Sequence, residues 1–92
     1  MEIEKLISAL EQTVSYLRTS ESSDPLQMPI EEIIRRLEAE AARAKNLKPV
    51  DVNFLERLFA PMGVLQAISL NNGWGTKFLR ISEVIDQFIG GR

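Results

Sequence analysis

Apolar residues recur at helical spacing in two long stretches of the first half of the chain. Ile3, Ile7, Leu10, Val14 and Leu17 follow one another at steps of four, three, four and three, with Leu6 widening the seam. Ile30, Ile34, Leu37, Ala41 and Ala44 repeat the same steps. Such steps keep side chains on one face of a helix. They predict one helix over about 2–19 and a second running from Pro29, which suits a first helical position, to about Lys45.

Two short helices of this kind pair antiparallel, and the small Ala41 and Ala44 let the backbones approach near the end where Ile3 arrives. Residues 2–45 therefore read as a helical hairpin. The connection near 19–28 carries no periodicity, and its run Thr19-Ser20-Glu21-Ser22-Ser23-Asp24-Pro25 has the composition of a flexible loop. Serines beside acidic residues are candidate phosphorylation sites, although a plain solvated linker is the simpler account.

The second half is built of shorter pieces. Asn46 can cap the helix behind it, and Pro49 disfavours helix in the residue before it. A third helix is predicted from Val50 or Asp51 to Phe59, with Asp51 as cap and Phe54, Leu55, Leu58 and Phe59 inward. Ala60-Pro61-Met62-Gly63 ends it, and a fourth helix runs from about Met62 to Leu70 with Val64, Leu65, Ala67 and Ile68 available for burial. At Asn71-Asn72-Gly73 a positive φ is cheap, so one helix can stop and another start within a few residues. A β-hairpin at Asn72-Gly73 is disfavoured, because the flanks run at helical rather than alternating period. The fifth segment, Trp74 to Ile89, places Trp74, Phe78, Ile81, Ile85 and Phe88 again at four, three, four and three, and Gly90-Gly91 follows where a left-handed cap belongs. The pattern as a whole predicts an all-α fold in a single domain over 1–92. It is a compact bundle of four or five helices, an N-terminal helical hairpin followed by shorter helices and a C-terminal amphipathic helix.

Composition narrows the chemistry. A chain of 92 residues with 45% hydrophobic content can bury a modest core without a metal or disulfide. The absence of Cys and His removes disulfide frameworks, zinc sites of the usual kind, thiol catalysis and His-dependent acid–base chemistry. Asp51, Asn53 and Glu56 lack the further oxygen positions and central glycine of a calcium loop, and Asn72-Gly73-Trp74-Gly75 lacks the Lys and Ser/Thr of a phosphate loop. No catalytic, metal or cofactor residue is assigned, and the chain reads as a non-enzyme. No apolar run approaches the roughly 18–20 residues that cross a bilayer, and Met1-Glu2-Ile3-Glu4-Lys5 lacks the pattern of a signal peptide. A cytoplasmic location with no membrane partner is expected.

The formal charge is −2, with nine acids against six bases in 1–45 and four against five in 46–92. Neither half attracts nucleic acid by charge alone. On the second helix Glu31–Arg35 and Glu32–Arg36 stand in favourable order, and interleaved acids argue against reading Arg35, Arg36, Arg43 and Lys45 as a phosphate strip. By elimination the chain reads as a small helical protein–protein interaction or regulatory module, whose partner is another protein with a basic patch or a second copy of itself. The alternative is a helix-turn-helix-like DNA-binding protein using the 62–89 helix pair, with Lys77 and Arg80 early in the second helix. Trp74 lies on the apolar stripe, which favours burial, yet a tryptophan at a corner can also anchor a partner. Asn71, Asn72, Trp74, Lys77 and Tyr16, whose ring sits off the first seam, are the candidate partner contacts.

Overall fold

Five α-helices form among the residues that the computed structural model describes, which are 2–21, 28–61 and 63–90. They are α1 (Glu2–Arg18), α2 (Ile30–Lys45), α3 (Val52–Leu58), α4 (Val64–Asn71) and α5 (Gly75–Gly90). The proposed modification of Ser22 and Ser23, most of the 19–28 loop, the start of the fourth helix at Met62 and the capping role of Gly91 fall outside the described residues.

The helical hairpin forms. Lys45 Nζ meets Glu11 Oε2 at 2.8 Å and Arg18 Nη2 meets Glu38 Oε2 at 2.7 Å, so numbering rises along α1 as it falls along α2. Lys45 ends α2 yet reaches only Glu11, which sets Ala41 and Ala44 against the middle of α1 rather than beside Ile3. The seams are rotated from the expected ones. In α1 the fully buried positions are Leu6, Leu10, Thr13 and Leu17, while Ile3 and Ile7 are only partly buried. In α2 Ile33, Leu37, Glu40, Ala41 and Ala44 face inward, while Ile30 and Ile34 lie at the edge. The reason is a second neighbour on each helix. α1 packs against both α2 and α5, so its buried arc is centred between them. α2 also meets α3, where the Arg36 guanidinium lies 3.8 Å from the Phe54 ring centre. Thr13 survives burial because its hydroxyl donates to the Ala9 carbonyl at 2.8 Å.

The link from α2 to α3 is held by a buried carboxylate. Glu40 Oε1 accepts from the Asp51 N–H at 2.8 Å and Oε2 accepts from Arg43 Nη1 at 3.2 Å. Asp51 in turn caps α3 as expected, its Oδ1 accepting from the Phe54 N–H at 3.0 Å. Phe54, Leu55, Leu58 and Phe59 are all buried, again as the spacing required. The intrahelical pairs expected on α2 are replaced: Arg35 approaches Glu32 at 3.8 Å, and Arg36 approaches Asp51 at 4.0 Å.

Two helices end in the same way with different residues. At the end of α4 the Trp74 N–H bonds the Ser69 carbonyl at 2.9 Å around Gly73, whose φ is +82°. At the end of α2 the Lys48 N–H bonds the Arg43 carbonyl at 2.8 Å around Leu47, whose φ is +57°. Both are Schellman turns, in which one left-handed residue lets the chain satisfy the last helical carbonyls. Asn46 caps α2 as the sequence predicts, at φ −96° with its side chain bonding the Ala42 carbonyl, and the left-handed position falls one residue later, on Leu47.

α5 is the element on which α1, α3 and α4 converge. Phe78, Ile81 and Ile85 supply its buried face, and Phe78 stacks on Phe59 with ring centres 6.2 Å apart. The helix starts one residue later than expected and runs through Gly90, which stays helical instead of forming a left-handed cap. The radius of gyration, 12.3 Å, agrees with the roughly 12 Å of a compact chain of this length. No helix of the described residues is long and apolar enough to cross a membrane.

Candidate functional site

Three of the five candidate residues meet at one corner. Trp74, the residue just before α5, is 5% exposed, and its indole stacks on Tyr16 with ring centres 5.0 Å apart and planes 8° from parallel. Its Nε1–H donates to Ser20 Oγ at 2.8 Å, and that hydroxyl donates to the Tyr16 carbonyl at 2.8 Å. The indole is therefore both a core residue and a strap across the end of α1. Asn72 adds a second strap: its Oδ1 accepts from the Glu21 N–H at 3.0 Å while its Nδ2 donates to the Glu21 carbonyl at 2.8 Å and the Ile68 carbonyl at 2.9 Å. Asn72 is thus committed inward, and Asn71 stands exposed as the last residue of α4, outside this cluster.

Lys77 joins a different set. α1 contributes Lys5, Ser8, Ala9, Gln12 and Tyr16 to one wall of a groove of about 460 Å³. Lys77, Arg80, Ile81 and Val84 of α5 form the other wall. Because Trp74 sits against Tyr16 near the end of α1, α5 runs from there back toward Lys5, antiparallel to α1. The floor is apolar, with Ala9 and Ile81 buried and Val84 half-buried, and the rim is cationic.

Most cations elsewhere are matched, Lys48 and Arg57 being the described exceptions. Arg18, Arg35, Arg36, Arg43 and Lys45 each have a carboxylate within 4.0 Å. That pairing removes any phosphate strip from α2. Among the described residues Lys5, Lys77 and Arg80 have none within that distance, and no acid lines their groove. Lys5, Ser8 and Gln12 were missed by the sequence reading. Their spacing with Tyr16, at steps of three, four and four, was the available signal, a polar stripe without an acid beside the apolar seam.

Two other concavities differ in kind. The one between α1 and α2, about 290 Å³, is lined by Glu11, Glu38 and Lys45 and is bridged by the ion pairs that hold the hairpin. The one between α4 and α5, about 330 Å³, has Gly73 and Gly75 in its lining beside Leu70 and Leu79, which are 65% and 57% exposed, and no charged residue is among its described lining. No group of three His, Cys, Asp or Glu able to hold a metal gathers among the described residues. No family model, curated protein or solved structure matches the chain.

Proposed function

We propose that the protein is a small helical interaction module without catalytic activity, which receives a protein partner in the groove between α1 and α5. The observation that carries this reading is the placing of Lys5, Lys77 and Arg80 around one apolar-floored groove with no acid among its described lining residues. A charge left without a partner on a net-negative chain is free for intermolecular pairing, and an apolar floor supplies the area that such pairing needs. Tyr16 and Lys77 belong to this face, whereas Asn72 and Trp74 serve it by fixing the angle between α1 and α5.

A photo-crosslinking residue placed at Gln12, in the groove, should capture a protein partner in cells, and the product should be lost when Lys77→Glu and Arg80→Glu are added. The same residue at Ala39, exposed on α2, is the control. Equal capture from both positions, or capture indifferent to charge reversal, would remove the groove from the reading.

A second copy is the partner favoured by the other concavity. In a two-fold contact each patch meets itself, so a face lined by Leu70 and Leu79 without charge can self-pair where a cationic groove repels its own copy. DNA binding through α4 and α5 gains less support. α5 is packed by α1, α3 and α4, and its exposed side continues from Lys77 and Arg80 into Glu83 and Asp86.

A further inference from the structure

Resting on the groove reading above, we infer that the occupant of the α1–α5 groove is an acidic amphipathic helix of the partner, about three turns long. The length comes from α1, whose lining residues run from Lys5 to Tyr16. At a rise of roughly 1.5 Å per residue this wall spans about 16 Å, or three turns. A groove between two antiparallel helices is the shape that a third helix fills, with its apolar stripe on the floor.

The order of the cations sets the pattern of acids. Lys77 lies within a turn of Trp74 and hence at the Tyr16 end; Arg80 follows one turn along, and Lys5 marks the opposite end beside Val84. A helical ligand meets Lys77 and Arg80 with two carboxylates three or four residues apart on the edge facing α5, and Lys5 with a third, about two turns along, on the edge facing α1. Its adjoining aliphatic stripe covers Ala9, Ile81 and Val84.

Charge and reach favour a peptide over a duplex. By the step of roughly 100° per residue in a helix, Glu4 and Glu83 fall on the outer shoulders of α1 and α5. A polyanion wider than the groove meets those acids and a net charge of −2. A single helix seated between the walls lies inside them. Tyr16 is the single aromatic among the described lining residues and one of its faces is already stacked on Trp74, so the groove offers no run of stacking platforms for bases.

The test uses the full chain, ¹⁵N-labelled, and four probes. They are a stapled three-turn peptide with Glu at i and i+3 on one edge and at i+8 on the other and Leu on the stripe between, its Glu→Gln counterpart, its Glu→Lys counterpart and a 20-base-pair DNA duplex. The Glu peptide should shift the amides of Lys5, Gln12, Lys77, Arg80 and Val84 saturably. The Gln peptide should bind at least tenfold more weakly, and the Lys77→Glu, Arg80→Glu variant should lose the Glu peptide and gain the Lys peptide. Rescue by the swapped charge is not expected of a merely structural effect. Equal binding of Glu and Gln peptides, shifts mapping elsewhere, or tighter binding of the duplex would each overturn the assignment. If crosslinking from Gln12 captures a partner while the Glu peptide leaves these amides unmoved, the groove reading stands and the acidic-helix assignment falls.

Discussion

Asn72 offers the sharpest test of how the corner is held, because its three side-chain bonds make opposite demands on its two ends. Oδ1 must accept from the Glu21 N–H, and Nδ2 must donate to the Glu21 and Ile68 carbonyls. Asn72→Ala removes all three. Each bond contributes a net of about 0.5–1.5 kcal/mol, at the low end where partners are exposed, and two of the three go to the exposed backbone at Glu21. A loss of about 1.5 kcal/mol follows, against a total stability of roughly 5–14 kcal/mol for a chain of this length. Asn72→Asp should cost more than Ala despite its closer shape, because a carboxylate keeps the accepted bond but faces two carbonyl oxygens across hydrogen-bond distance. That repulsion raises the folded-state pKa of the introduced carboxyl above its unfolded value of about 3.9. The extra penalty is therefore complete above the raised pKa and disappears below the unfolded one, where the protonated group can donate. Urea titration followed by the fluorescence of the single Trp at pH 7 and at pH 3.5 gives both numbers. Asn72→Ala within 0.3 kcal/mol of wild type, or Asp no worse than Ala at pH 7, would refute the two-ended clamp; the threshold is about the error of such comparisons.

Other substitutions test the remaining supports. Leu47→Gly should stabilise by about 0.5–1 kcal/mol, the relief of left-handed strain less the entropy of glycine in the unfolded chain. Leu47 is 81% exposed and loses little packing, so Leu47→Ala in the same thermal melt should change little. Gly73→Val should cost more than about 1 kcal/mol for the converse reason. Gly75→Ala should be tolerated, since the added Cβ meets only the end of the exposed Leu70 side chain, at 2.8 Å before it moves aside. Glu40→Ala strands the Asp51 N–H and should lose about 1–3 kcal/mol by urea titration. Light scattering across a concentration series should show a mass rising above the 10.4 kDa of one chain, and Leu70→Lys with Leu79→Lys should abolish the rise.

Much of this architecture was legible because it is local. The four-three-four-three step of α5, the Asp51 cap and the Gly73 corner each depend on neighbours within a few residues, and each appears where the pattern placed it. The rotation of the α1 seam was not legible. Ile7 and Thr13 exchange their expected burial because α5, more than sixty positions away in the sequence, covers one flank of α1. Leu47 was hidden for another reason. The left-handed position after α2 is fixed by where the helix must stop to let Glu40 reach Asp51, and the residue found there accepts strain that its type does not advertise.

The candidate site turned on the same distinction between local pattern and distant pairing. Trp74, Asn72 and Tyr16 drew attention as residue types that anchor partners, yet each makes an internal contact spanning more than fifty positions, to one another or to Ser20 and Glu21. An anchor already satisfied inside its own fold has little left to offer a ligand. Binding capacity is better sought in groups that folding leaves unsatisfied, and net charge conceals them, because −2 is a sum over matched and unmatched groups alike. The ion pairs that tie α2 to its neighbours, Lys45 to Glu11, Glu38 to Arg18 and Arg36 to Asp51, cancel cations that looked free in the sequence. Of the described cations left unpaired, Lys48 and Arg57 stand apart from any groove lining, whereas Lys5 from the first turns of the chain and Lys77 and Arg80 from its last helix share one because the Trp74–Tyr16 stack lays α5 back along α1. Loosening that stack should therefore weaken partner binding before it unfolds the domain. Ser20→Ala, which leaves the ring in place and removes only the acceptor of its N–H, is the substitution that would separate the two effects.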